Sequence, residues 1–235
     1  GRTHPIRRTQ VLDAKTLKRA VGEVVMIVVG VLIALAASDW QQDRMERRAE
    51  LDLLGELHRA LSADLAALEE QYARYERVDR RVTTLLRIMD SGAPYADSLD
   101  AYFGTLYGIE FPRLNRAGYE SLKSQGLDLV SDDALRSRIA AVYEQAYARI
   151  DDALDSERMV ILDLLRPYVL VHFKDLRFNV SATPLDYAFV ATDQKFVNLI
   201  DYRLQLVKQN HLRNFDEALP EIRALKNVLD DELGG

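Results

Sequence analysis

Residues 20–37 read AVGEVVMIVVGVLIALAA, eighteen residues with one charge, Glu23. As a helix they cover about 27 Å, close to the roughly 30 Å hydrocarbon core of a bilayer. A basic stretch precedes them and a very polar one follows. The apolar run closes at Trp40, an aromatic of the kind that settles at a membrane interface. The reading is a transmembrane helix over residues 20–40.

A signal peptide has a similar outline. Arg2, Arg7, Arg8, Lys15, Lys18 and Arg19 form a basic leader, residues 24–35 an apolar stretch, and Ala34-Leu35-Ala36 a small-residue step. The apolar run nevertheless extends to Ala37. Helical periodicity also continues beyond it with no Gly or Pro until Gly55. Both features favour a retained anchor.

The flanks give the orientation. Six Lys and Arg against one Asp lie in residues 1–19, and cytoplasmic flanks favour Lys and Arg. Arg44, Arg47 and Arg48 pull the other way. The expected layout is a basic cytoplasmic tail at 1–19, the membrane helix at 20–40 and a helical extracytoplasmic domain at 41–235. In a bacterium that places the chain in the inner membrane with its main domain in the periplasm. The chain has no cysteine, so it forms no disulfide in an oxidising compartment.

Composition bounds the outer part. The chain is 48% hydrophobic and 29% charged, which is globular rather than disordered. Beyond residue 37 it carries 25 Lys and Arg against 35 Asp and Glu, near −10. That excludes a nucleic-acid surface, whose phosphates demand positive charge. It also argues against a domain lying flat on anionic lipid.

Periodicity makes the outer part all-α. After Trp40 about fifty residues pass without proline, and Leu54, Leu61, Leu68, Tyr75, Val82 and Met89 recur every seventh residue. A second series is partial (Leu57, Val78, Leu85), and a third runs Leu51, His58, Leu65, Tyr72 and Leu86. A stripe this wide suits a helix in a bundle better than the narrow seam of a two-stranded coiled coil. Ser91-Gly92-Ala93-Pro94 stops it. The membrane helix is expected to run into this helix unbroken, from about residue 13 to residue 90, over about 100 Å.

A short helix follows at residues 97–107. AGYESLKSQG forms another, closed by Gly126, and Ser131-Asp132-Asp133 caps a second long helix. That helix should kink at Pro167 and lead into a buried run at residues 168–173. Loop chemistry marks residues 179–184. Thr192 or Asp193 caps a third long helix that Pro220 bends or restarts. The expected architecture is one membrane helix continuing into a long helix, packed with two further long helices and short ones in an antiparallel bundle.

Two stretches carry a resemblance, GEVVMIVVGVLIALAASDW at 22–40 and AGYESLKSQGLDLVSDDALRSRIAAVYE at 117–144. In order and spacing they are similar to a bacterial family of single-pass membrane proteins of unknown function. That family carries Gly-Glu, an aliphatic run and Trp near the N-terminus, and a Tyr, a Ser/Leu helix, Gly and a capped helix in the middle. Gln41 and Gln42 stand where the family usually has Asn. The resemblance implies a helical outer domain on one span and supplies no activity.

Candidate sites are few. Glu23 lies just inside the apolar segment, and an ionisable residue in a membrane helix is a functional candidate. Capping, or a contact with a neighbouring helix, is the simpler role. Gly22, Gly30, Ala34 and Ser38 form a small-residue face on which another helix can pack. Trp40 is the interface anchor. Asp64, Glu69 and Glu70 could form a carboxylate site, and Tyr102, Tyr107, Tyr119 and Tyr143 could line a pocket. The four histidines, His4, His58, His172 and His211, form no metal-binding spacing, and His58 and His211 read as hydrogen-bonded core residues. No nucleophile elbow, P-loop or dinucleotide fingerprint is present.

No cofactor and no catalytic set is expected. The function expected is a non-enzymatic membrane-anchored scaffold or accessory subunit, a homo-oligomer or part of a larger membrane complex. The alternative is an extracytoplasmic sensory or ligand-binding module that signals through a partner.

Overall fold

Along the first helix, α1 (Ala14–Asp90), twelve positions in alternating steps of four and three from Glu50 to Met89 are buried without exception. A computed structural model describes residues 14–234, and side chains from Gly22 onward. Most of the basic tail, and His4 within it, lie outside the described residues. α1 spans Ala14–Asp90, within a residue of the expected limits. The chain divides into two units, Gly1–Ala49 and Glu50–Gly235. In the first, every residue from 22 to 49 is exposed, and the apolar window there is long enough to cross a membrane.

The second unit is an all-α bundle of three long helical runs with one small hairpin. After α1 the chain makes a 3₁₀ turn (Asp97–Leu99), α2 (Asp100–Gly104) and α3 (Ala117–Gln125). Gly126 closes α3 at φ 107°, a value that favours glycine. The second long run comprises α4 (Asp133–Ala141), α5 (Tyr147–Met159) and α6 (Arg166–His172), joined by π-helical turns at Val142–Ala146 and Val160–Leu165. Asp132 caps it by accepting from the Ala134 and Leu135 amides. The hairpin is β1 (Phe173–Arg177) and β2 (Ser181–Pro184), paired antiparallel. α7 (Tyr187–Thr192) leads to the third run, α8 (Gln194–Leu206), a π turn (Val207–Leu212) and α9 (Arg213–Gly234). Asp193 is its cap and accepts from the Lys195 amide.

Cross-helix bonds fix the directions. Tyr72 bonds Asp216, Glu69 meets Arg223 and His58 meets Asp230, so the third run is antiparallel to α1. Glu50 bonds Ser131 and Asp64 bonds Tyr147, so the second run is parallel to α1. The link at residues 91–132 returns the chain to the Glu50 end before that run begins.

Three local expectations are refined. Pro167 stands inside the continuous second run, directly after the π turn at Val160–Leu165, and the wider turn is the place where the helix accommodates a ring and a missing N–H. α9 runs through Pro220 without a break. The run at 168–173 is only half buried: Tyr168, Val169 and Phe173 point inward, while Leu170 and Val171 are about two-thirds exposed at 65% and 66%. Helical spacing ends there because the chain turns into the hairpin, which occupies most of the expected loop. Asn179 takes the left-handed turn position at φ 58°, which Asn tolerates. Gly104 lets the hairpin approach, since a Cβ there would lie 2.3 Å from the Ser181 amide nitrogen.

Candidate functional site

The predicted membrane face lies wholly on α1. Gly22, Glu23, Gly30, Ala34 and Ser38 are all exposed. A Cβ built on Gly22 or Gly30 meets no atom within 4 Å, so the described residues put no side chain against either glycine. Trp40 is 61% exposed, and the Arg44 guanidinium stands 4.9 Å from its ring centroid. That pairing keeps a cation beside the aromatic at the polar end of the apolar segment.

The long-helix series behaves differently. Leu54, Leu61, Leu68, Tyr75, Val82 and Met89 all sit in the core. The partial second series proves continuous once polar residues are admitted: Glu50, Leu57, Asp64, Gln71, Val78 and Leu85 are all buried. Each buried carboxylate in it has a partner distant in sequence. Glu50 accepts from the Ser131 amide at 2.7 Å and from its hydroxyl at 2.9 Å. Asp64 accepts from the Asn115 amide at 2.9 Å and the Tyr147 hydroxyl at 2.8 Å. Burial raises the Asp64 pKa, and these bonds together with Arg116 offset that only in part.

The most buried polar group joins the second and third runs. Glu157 from α5 faces Arg203 from α8 and His211 from the π turn after it. Arg203 donates to Glu157 Oε1 from Nη2 at 2.7 Å and from Nε at 3.1 Å, and to the Thr105 carbonyl from Nη1 at 2.6 Å. His211 Nε2 lies 3.2 Å from Glu157 Oε2. The His211 ring stacks on Tyr75 with centroids 4.5 Å apart. Burial opposes the Glu157 charge, but Arg203 and His211 outweigh it and hold the carboxyl at about 2.

Sequence reasoning missed Glu157 and Arg203, although the signal was present. Glu157 falls three residues after Leu154 and four before Ile161, on the apolar face of its run. Arg203 falls three after Ile200 and four before Val207. One acid and one base, each alone in an apolar stripe, must meet or leave a charge buried without a partner.

Other expected groupings disperse. Glu69 pairs with Arg223 and Glu70 with Arg74, so neither joins Asp64. Tyr119 stacks on Tyr143 at 4.7 Å, and Tyr143 contacts Tyr147 at 5.0 Å. Tyr107 instead donates to the Ser181 carbonyl, beside the hairpin, and Tyr102 is half-buried. His58 lies 2.6 Å from Asp230, and His172 packs between the Tyr168 and Phe189 rings. Among the described residues no three acids or histidines converge to hold a metal. The site is therefore an apolar exposed helix in one unit and a bundle locked by internal polar ties in the other. Comparison with protein-family models, curated proteins and solved structures returns no match.

Proposed function

We propose that this chain is a non-enzymatic, membrane-anchored scaffold or accessory subunit. It is held by the apolar segment of α1 and associates through that helix and the juxtamembrane part of α1 that follows. The observation that carries the reading is the exposure of every residue from 22 to 49, with Gly22 and Gly30 open to close approach. Small residues on a lipid-facing helix let a second helix pack backbone to backbone. The partner is a second copy of the chain or a subunit of a larger membrane complex. On that reading the N-terminus is cytoplasmic, and the bundle stands in the periplasm on the inner membrane.

Extraction of the full chain from native membrane into lipid nanodiscs tests this. The expected particle contains at least two chains or a copurifying protein, and Gly30→Leu reduces that association. A monomer without a partner, unchanged by Gly30→Leu, overturns it.

A second reading, a sensory or ligand-binding module, has one observation in its favour. An open groove of about 810 Å³ runs between the end of α1 and the start of α8, lined by Leu86, Met89, Asp90, Val197, Asn198 and Asp201. A ligand copurifying in that groove would favour this reading over the scaffold.

A further inference from the structure

Beneath residues 108–111 the bundle leaves a small, partly open cavity. Gln71, Arg74 and Tyr75 of α1, Glu157 of α5, Asn179 of the hairpin turn and Arg203 of α8 are in its wall. It measures about 20 Å³, room for one water and nothing larger. Two polar atoms of its wall residues, the Tyr75 hydroxyl and Arg74 Nε, are buried with no well-formed hydrogen bond among the described residues; the Gln71 side chain stands near enough to the Tyr75 hydroxyl to interact with it but leaves its bonding incomplete.

The Tyr75 side chain is pinned. Its residue is 2% exposed and its ring lies between His211 and Phe215. It cannot swing to solvent to find a partner, and a buried hydroxyl left unbonded is costly. Burial also keeps it protonated, so it can both donate and accept. The Glu157 carboxylate in the same wall offers an acceptor, and Arg74 Nε offers a donor.

We propose that this cavity is a binding site for a single ordered water, held by Tyr75 and completing the polar centre around Glu157 and Arg203. The water accepts from Arg74 Nε, exchanges a hydrogen bond with the Tyr75 hydroxyl and donates toward Glu157. It ties α1 to the second and third runs where direct side-chain bonds do not reach. The site then admits no larger molecule, which leaves the charged centre structural.

The test is a structure of the full chain in lipid at a resolution that resolves solvent. One solvent peak is expected within about 3.2 Å of Tyr75 Oη and of Arg74 Nε or a Glu157 oxygen. The same peak is lost in Tyr75→Phe. A dry cavity overturns the proposal, as does a Tyr75 hydroxyl turned onto the Gln71 amide or a peak that persists unchanged in Tyr75→Phe. If Tyr75→Phe does not fold, the wild-type density decides by itself.

Discussion

Arg203 and Glu157 meet inside the bundle through two hydrogen bonds to one carboxylate oxygen, with side chains only 2% and 3% exposed. Removing one partner leaves the other charge buried, at a cost of about 3–5 kcal/mol, whereas replacing both by apolar groups of similar size is often far milder. Arg203→Met alone is therefore expected to destabilise the chain strongly. Arg203→Met with Glu157→Leu should recover much of the loss, since no charge is then stranded and only His211 and the Thr105 carbonyl lose a partner. Urea unfolding of the outer bundle in the full chain, followed by circular dichroism, measures both.

Acid should weaken the same pair. The folded Glu157 carboxyl is held at about 2, below its ordinary value of 4.5. The unfolded chain thus binds the proton first, and the stability linked to the pair is fully present above about 4.5. It drains away as the pH falls toward 2. Glu157→Gln flattens the profile over that window. Asp64 has the opposite sign: its folded pKa is raised, so its own contribution becomes more favourable as acid protonates it. Asp64→Asn should remove that gain and steepen the acid loss. Unfolding midpoints measured from pH 2 to 6 separate the two.

The buried series on α1 gives a packing test. Leu61 is fully buried, so Leu61→Ala should cost about 2–5 kcal/mol. Leu162 is 37% exposed, and the same change there should cost well under that range. Equal losses at the two sites would contradict the assigned register.

Asp132 caps the second run through two backbone amides. Asp132→Ala should cost about 1 kcal/mol. Asp132→Asn, which keeps an accepting oxygen, should cost much less. Thermal unfolding of the pair of variants checks it.

Orientation is accessible because the chain has no cysteine. Asp152 is exposed, so Asp152→Cys offers one thiol on the bundle. A membrane-impermeant maleimide should label it in cells whose outer membrane has been opened, without lysis of the inner membrane. Labelling only after inner-membrane lysis would reverse the proposed topology.

Much of this fold was legible in one dimension. The helical period of 3.6 forces a seven-residue recurrence wherever one face is buried, so Leu54 to Met89 announced α1 and its inward side. Caps are local, and Asp132, Asp193 and Gly126 revealed helix ends from immediate neighbours. Gln71, Glu157 and Arg203 stand as lone polar residues in apolar stripes, a signal the sequence reading passed over, and nothing local encodes their partners. The hairpin was hidden for a different reason. Leu170 and Val171 continue an apolar run, yet the chain leaves the helix at His172 because β1 and β2 can pack on Gly104.

The sequence by itself determined an apolar N-terminal helix long enough to span a bilayer, an all-α body and the faces its helices bury. Periodicity and capping are properties of short stretches, so they survive without knowledge of the rest. Tertiary structure alone decided that the second run lies parallel to α1 and the third antiparallel, and that Glu157 finds Arg203 across 46 residues. Those pairings depend on where residues 91–132 return the chain, and no local pattern of side chains encodes that path.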